Sequence, residues 1–170
     1  MLSEKIQTAL NDQINMELGA YYTYLSMSAY FESLGLRGFS SWMFTHSQEE
    51  MTHAMKIYDY IHSRLGRVSL KAVAAPRAEW NSALEAFEDA MHHEQAVTAS
   101  IGRLVTLARV ENDHATDSFL KWFVDEQVEE EELVDDAIRK LKLVGNNGPG
   151  LYMLDQELGA GPGAEEAAAE

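Results

Sequence analysis

The segment SQEEMTHAM, residues 47–55, places Glu50 and His53 three residues apart in a stretch with the periodicity of an amphipathic helix. Side chains at this spacing lie on one face of a helix, so the carboxylate and the imidazole would both point to the buried side. Burying such a pair is costly unless something compensates its charge. Carboxylate oxygens together with an imidazole are suitable ligands for a transition metal.

Three more glutamates occupy comparable positions in other helical segments. At alternating steps of three and four residues, each of four segments has an apolar seam that is interrupted by one glutamate. These glutamates are Glu17, Glu50, Glu94 and Glu130. Each lies about 12 to 15 residues into its segment, and helices of equal length packed side by side bring such positions to one level. The same seams carry Gln13 and Tyr24 in the first segment, His46 and His53 in the second, and Gln127 in the fourth.

Four carboxylates in a dry interior need compensation, since each one, ionised and alone, costs several kcal/mol or more. Two divalent cations would supply the balancing charge, and this set of oxygen and imidazole ligands suits iron or manganese and tolerates zinc. Glu50 can bridge two ions because a carboxylate has two oxygens. A single glutamate that the pattern assigns to a buried position is often a surface residue in fact. Four glutamates at matched positions favour a site for two metal ions.

The segments that would position these side chains are long, and only three prolines interrupt the chain. Helical periodicity covers about 3–34, 38–66, 81–115 and 116–144, and Asn81 or Ser82 with Glu85 predicts a capping box. Each helix is roughly 42 to 45 Å long. The turn at 35–38 is short, whereas RVSLKAVAAPRAEW is long enough to cross the bundle and start the third helix parallel to the second.

The prediction is an all-α fold in one domain, residues 1–158. It is an antiparallel four-helix bundle with a long crossover between the second and third helices and a short fifth helix, LYMLDQEL. Residues 159–170, GAGPGAEEAAAE, are predicted to be a flexible acidic tail.

The amino-acid composition disfavours several classes of function. The 170 residues include 28 acids and 13 bases, a net charge of −15 that disfavours nucleic acid and attracts cations. The chain has no cysteine, which excludes disulfides and iron–sulfur clusters. It has no apolar run of 18 residues and no apolar signal core at its start, so we expect no membrane partner and a cytoplasmic location.

NDQINMELGAYYTYLSMSAYF around Glu17, together with EMTH at 50–53, resembles the ferritin family over residues 1 to about 158. In di-iron carboxylate bundles, two helices supply one Glu each and two supply Glu-x-x-His. Here QVEE at 127–130 replaces the second Glu-x-x-His, and this resembles the non-haem bacterial ferritins. Haem is therefore not expected, although Met51 stands where bacterioferritins place a haem-binding methionine.

The resemblance implies roles for individual residues. The first iron position would use Glu17, Glu50 and His53. The second would use Glu50, Glu94 and Glu130, and Gln127 would lie near both positions. A third, inner site would use Glu49, Glu126 and Glu129. Tyr24 matches a tyrosine that ferritins carry near the di-iron centre, which implies a redox or hydrogen-bonding role for Tyr24. The alternative interpretation is that Tyr24 is only an aromatic residue of the core. His46 is predicted to be a hydrogen-bonded core histidine rather than a ligand.

The implied function is iron storage with ferroxidase activity. Fe(II) would be oxidised to Fe(III) by O2 or peroxide at the di-iron centre and stored as ferric oxyhydroxide inside a hollow homo-oligomer of 24 subunits. The fifth helix would line a four-fold axis of this cage. Two alternatives stay open, namely a structural cage subunit with little ferroxidase activity and another di-iron oxidase or peroxidase.

Overall fold

The computed structural model describes residues 2–145 and 147–160, and this part of the chain is helical and contains no strand. The helices are α1 (Glu4–Ser33), α2 (Arg37–Ser63), α3 (Ala83–Val110), α4 (His114–Val144) and α5 (Gly148–Ala160). Within the same residues, no helix combines the length and the apolar character needed to cross a membrane. The predicted all-α class, with four long helices and a short fifth, is confirmed.

Side-chain caps define where α1 and α3 begin. Ser3 accepts a hydrogen bond from the backbone N–H of Ile6 at 3.3 Å, and Ser82 accepts one from Glu85 at 3.1 Å. Caps of this kind stabilise a helix by about 1 kcal/mol because they satisfy a backbone donor of the first turn. The predicted capping box differs in one detail, since the Glu85 carboxylate accepts from the backbone N–H of Asn81, at 2.7 Å, rather than from that of Ser82.

The turns between helices use left-handed backbone conformations. Between α1 and α2, Gly35 has φ +74°, and the first helix is predicted to end just before this glycine. Between α3 and α4, Asn112 has φ +55°. α2 ends at Ser63, earlier than the predicted Gly66, because Leu65 and not Gly66 takes the left-handed conformation, at φ +58°.

Buried apolar side chains form two clusters along the bundle. One contains Tyr24, Phe39, Phe87 and Val134, and the other contains Ile14, Ala54, Val97 and Phe123. Along α1 and α4 the chain passes from the cluster that contains Phe123 to the cluster that contains Phe39. Along α2 and α3 it passes in the opposite direction, from the Phe39 cluster to the Phe123 cluster. α3 therefore runs parallel to α2, as the long crossover predicts, while α1 and α4 run in the opposite direction.

The connection between α2 and α3 lies against the length of α1. Near the start of α1, Asn11 donates to Arg67 O at 3.1 Å and accepts from Ser69 N at 2.6 Å. Near its end, the Tyr30 hydroxyl donates to Trp80 O at 2.7 Å. These hydrogen bonds hold the crossover in place and so set where α3 begins.

α5 packs on the first turn of α2. Asp155 is buried and accepts a hydrogen bond from the backbone N–H of Phe39 at 2.9 Å, capping a helix whose own N-cap residue, Leu36, provides no side-chain cap. Gly38 permits the close contact, because a Cβ there would lie 1.6 Å from Asp155 O. The fifth helix is longer than its predicted LYMLDQEL core.

The predicted flexible tail, residues 159–170, lies outside the described residues except for Gly159 and Ala160, which belong to α5. A Cβ at Gly159 would lie 2.8 Å from the Cα of Gly38, so the two glycines mark the closest approach of α5 to α2. The packed helical unit therefore extends to Ala160.

Candidate metal centre

Four buried glutamates form a polar layer between the two apolar clusters. Each of the helices α1–α4 contributes one, and they are Glu17, Glu50, Glu94 and Glu130, none more than 5% exposed. Each lies near the middle of its helix, and parallel or antiparallel packing places the midpoints side by side. The negative charges of Glu94 and Glu130 both act on Glu50, which in turn acts on Glu17.

One side of the layer brings together Glu17, Glu50 and His53. One ligand atom from each lies within 4.8 Å of the other two, and His53 Nδ1 is 3.2 Å from Glu50 Oε2. Gln13 Nε2 donates to Glu17 Oε1 at 2.8 Å. Glu17 Oε2 is buried and has no hydrogen-bond partner among the described residues. A metal ion would satisfy this oxygen, because it lies among the ligand atoms of Glu50 and His53.

Glu94, on the other side of the layer, is held by two donors. The Tyr24 hydroxyl donates a hydrogen bond to Glu94 Oε1, and Gln127 Nε2 donates to Glu94 Oε2 at 3.2 Å. Within the described part of the chain, Glu94 does not belong to a compact group of three possible ligands. Each oxygen of Glu94 keeps a second lone pair, with which it could bind a metal ion in the second position predicted with Glu50 and Glu130.

His46 faces the layer next to Glu130. Its Nδ1 lies 2.9 Å from Glu49 Oε2 and 3.3 Å from Glu130 Oε2, although neither contact has the angle of a hydrogen bond. Burial by itself lowers the pKa of His46, but the two acidic contacts outweigh this effect and raise the pKa to about 9. The imidazolium therefore balances negative charge in the metal-free state.

Glu126 and Glu129 differ in their distance from the layer. Glu126 is half-buried, with Oε1 3.8 Å from His53 Nε2, and it forms a possible ligand group with His53 and Glu130. Glu129 is exposed and belongs to none of the possible ligand groups formed by residues 2–145 and 147–160. Of the residues predicted for the third site, Glu49 forms a possible ligand group with His46 and Glu130, whereas Glu126 belongs to the separate group with His53 and Glu130.

Burial determines the protonation of the layer. Desolvation raises the pKa of Glu17 and of Glu50 well above the usual range, and the charges of neighbouring glutamates add to the effect. Burial also raises the pKa of Glu94, and the hydrogen bond from Tyr24 opposes the increase. Protons therefore neutralise part of the layer in the absence of metal, and cations would replace them when metal binds.

The buried residues of the layer could hold a divalent metal ion. The ligand atoms are carboxylate oxygens and imidazole nitrogen, a set typical of iron, manganese and zinc sites. An unpartnered carboxylate oxygen and raised glutamate pKa values are both relieved when a cation enters. The layer is closed on both sides by bulky buried side chains, among them Tyr24 and Phe123.

The structure adds to the site two residues of the seams that the sequence did not assign as ligands. His46 contacts Glu49 and Glu130, and Gln13 contacts Glu17. Both are polar residues on an apolar seam, four residues before a proposed ligand, and this spacing was the available signal. Trp122, half-buried, places its ring edge-on to His53 at a centroid distance of 5.4 Å.

Metal-free protein should lose stability as the pH rises. The folded-state pKa of Glu17 is raised, so its contribution to stability is complete below the unfolded value near 4.5 and is lost as the pH rises toward the raised value. The slope is at most about 1.4 kcal/mol per pH unit for one such group. The test is urea unfolding with chelator from pH 5 to 8, comparing the native chain with Glu17→Gln.

Glu17→Gln keeps an acceptor for Gln13 but removes the charge, so its unfolding midpoint should vary less steeply with pH. Added Zn(II) should flatten the dependence of the native chain in the same way, because metal ions displace the protons. Identical pH slopes for the two proteins without metal would contradict the role assigned to Glu17.

Comparison with known proteins agrees with this geometry. Residues 7–144 match the family description of the ferritin-like domain. The bacterial non-heme ferritin of Staphylococcus aureus (strain USA300) is 41% identical over 160 residues, which cover 94% of this chain and 96% of that protein. The open pore ferritin of the archaeon Archaeoglobus fulgidus has 50% identity and a TM-score of 0.92, covering 94% of this chain and 98% of that one. The chain belongs to the ferritin family.

Proposed function

We propose that this ferritin stores iron and oxidises Fe(II) at a di-iron site inside each subunit. The observation that carries the proposal is the buried layer in which carboxylates from four helices lie beside His53. Family membership and the name of the staphylococcal relative support iron storage as the general function. The substrates are Fe(II) and either O2 or peroxide.

Glu50 is the bridging ligand in this proposal. It shares a ligand group with Glu17 and His53, and its carboxylate also experiences the charges of Glu94 and Glu130. A carboxylate between two sets of ligands can offer one oxygen to each of two ions. Glu17 and His53 complete the first iron position, and Glu94 and Glu130 complete the second.

The chemistry is a two-electron transfer from a pair of substrate ions. Two Fe(II) ions lose one electron each, and O2 takes up both electrons with two protons and leaves as hydrogen peroxide. Peroxide as the oxidant would take two electrons and two protons and leave as two molecules of water. The anionic oxygens of the layer favour Fe(III), because their attraction increases with the charge of the ion.

Tyr24 and Gln127 position the second iron ligand. Their donors hold the two oxygens of Glu94, so the carboxylate keeps one orientation toward the second iron position. Tyr24 is buried and contacts this ligand, so it lies close enough to the second iron position to donate an electron when iron is oxidised. This role combines the hydrogen-bonding and redox roles that the family resemblance implies.

Acids next to the layer would receive the oxidised iron. Glu49 and Glu126 are half-buried beside His46 and His53, and Glu129 is exposed further out. Ligands of this kind bind more weakly than a closed buried set, and iron can therefore pass from the di-iron site to a ferric oxyhydroxide mineral. The net charge of −15 would concentrate cations around the protein.

We further propose that the chain assembles into a homo-oligomeric cage of 24 subunits in the cytoplasm. Large apolar side chains are exposed around the junction of α4 and α5, where Leu143 is 88% and Met153 72% exposed in the single subunit. Apolar surface of this kind is characteristic of contacts between proteins. α5 would then line the four-fold axis, as the family resemblance implies.

Aerobic mixing of Fe(II) with metal-free protein tests the proposed activity. Rapid oxidation that saturates at about two Fe(II) per subunit is expected from a two-metal site. Slow oxidation with normal iron loading would instead identify a structural cage subunit. Rapid oxygen consumption without retained iron would favour a di-iron oxidase or peroxidase.

A further inference from the structure

Gln13 is a buried polar residue in contact with the first iron position. It is 1% exposed and lies one helical turn before Glu17 on α1. Its Nε2 donates to Glu17 Oε1 at 2.8 Å, and Glu17 itself has no exposed surface. The opposite atoms of the two side chains, Gln13 Oε1 and Glu17 Oε2, are buried without a hydrogen-bond partner in the described part of the chain.

The orientation of the amide follows from the chemistry of its neighbour. Gln13 Nε2 faces Glu17 Oε1, which is the orientation that suits an ionised, metal-binding carboxylate, because such a group accepts hydrogen bonds and repels another acceptor. This choice leaves Gln13 Oε1 unpaired, which costs about 1 to 3 kcal/mol in a buried position. It also occupies one oxygen of Glu17 and leaves the other oxygen free.

We propose that Gln13 is a positioning residue that selects Oε2 of Glu17 as the metal ligand and prevents chelation through both oxygens. The proposal rests on the di-iron site of the proposed function. The amide occupies one lone pair of Oε1 and holds the carboxylate in place, so Oε2, which has no protein donor, is the oxygen best placed for an ion that also contacts Glu50 and His53. Partners of metal ligands typically change metal affinity by about 10- to 100-fold.

A positioning role and a purely structural role differ in their effect on metal binding. Gln13→Met removes the donor and the unpaired acceptor while keeping an unbranched side chain of similar length. It also leaves Glu17 Oε1 without its donor, so the loss of one unpaired buried oxygen is offset by the gain of another, and the metal-free variant should be about as stable as the native chain. If Gln13 positions Glu17, metal binding should nevertheless change, whereas a purely structural role leaves metal binding native.

The matched control is Gln7→Met. Gln7 lies on the same helix, but its Oε1 accepts from the backbone N–H of Arg67 at 2.8 Å, in the crossover connection. The substitution therefore removes a side-chain amide from α1 without touching the layer. Gln127→Met provides a second comparison, because this amide serves Glu94 at the other iron position.

Anaerobic titration with Co(II) provides a readout that is independent of iron oxidation. The visible absorption of Co(II) depends on its coordination, and the native chain and Gln7→Met should bind about two ions per subunit with the same spectrum. In Gln13→Met, one equivalent should bind about 10- to 100-fold more weakly, with an altered spectrum. In Gln127→Met, the other equivalent should weaken. Gln13→Leu is the second variant if Gln13→Met does not fold.

Crystals soaked with Co(II) complete the test through anomalous scattering. Glu17 should coordinate through Oε2 alone in the native chain and through both oxygens, or in more than one orientation, in Gln13→Met. If Gln13→Met takes up two Co(II) with the affinity and coordination of the native chain, the role of Gln13 is overturned, but the proposed function is not. Failure of the native chain to bind Co(II) at the layer would overturn both this inference and the proposed function.

Discussion

Glu50→Ala should abolish the rapid phase of Fe(II) oxidation. The substitution removes the carboxylate that belongs to the first ligand group and experiences the charges of Glu94 and Glu130, so both proposed iron positions would lose a ligand. Loss of an indirect partner already weakens a metal site by about 10- to 100-fold, and loss of the shared ligand should slow oxidation by on the order of 100-fold or more. Stopped-flow absorbance after mixing Fe(II) with aerated protein measures the rate.

Assembly of Glu50→Ala should be unchanged. The side chain is 3% exposed and lies in the interior of one subunit, away from any surface that another subunit could contact. Size-exclusion chromatography should therefore give the native elution volume. Glu132→Ala is the matched control, because Glu132 is an exposed glutamate on α4 outside the layer, and it should oxidise iron at the native rate. A native rate in Glu50→Ala would show that the bridge is assigned to the wrong residue.

Gly38→Ala should release α5 from the bundle. The new Cβ would lie 1.6 Å from the backbone oxygen of Asp155, and a backbone atom cannot move aside as a flexible side chain can. Undocking α5 would expose Leu154, whose burial contributes roughly 2 kcal/mol, and would remove the Asp155 cap on α2, which contributes about 1 kcal/mol. We therefore expect a loss of about 3 kcal/mol from the docked state.

Hydrogen exchange locates this loss. Amides of α5 and of the first turn of α2 should exchange faster in Gly38→Ala, while amides of α3 keep their native protection. Gly102→Ala is the control, because nothing lies within 4 Å of the position that its new methyl group would occupy, and alanine favours a helix over glycine by about 1 kcal/mol. Native exchange rates throughout α5 in Gly38→Ala would mean that the contact with α2 does not hold this helix.

The four-helix arrangement could be predicted because helical geometry is regular. A rise of about 1.5 Å per residue converts position along a segment into height in the bundle, so Glu17, Glu50, Glu94 and Glu130 could be assigned to one level. The long connection before α3 indicated its direction, and Ser82 with Glu85 marked its start. Each of these inferences uses spacing along one segment or the length of a connection.

The arrangement inside the layer depended on contacts between helices. Periodicity places Gln13 and His46 on buried faces, but it does not say that one donates to Glu17 or that the other lies between Glu49 and Glu130. The family resemblance grouped Glu129 with Glu126, although Glu126 lies near His53 and Glu129 is exposed. Choices of rotamer and hydrogen-bond partner depend on neighbours from other helices, which spacing within a helix does not specify.

The sequence by itself thus determined the helices, their order and direction, and the depth of the carboxylates, because these follow from local periodicity and from the rigidity of a helix. Only the tertiary structure decided which oxygen of Glu17 is free, that Glu94 is held by Tyr24 and Gln127, and that Asp155 caps α2. Each of these features depends on side-chain contacts that form when the helices pack. Their geometry is decided at that point, because buried polar atoms compete for a limited set of partners.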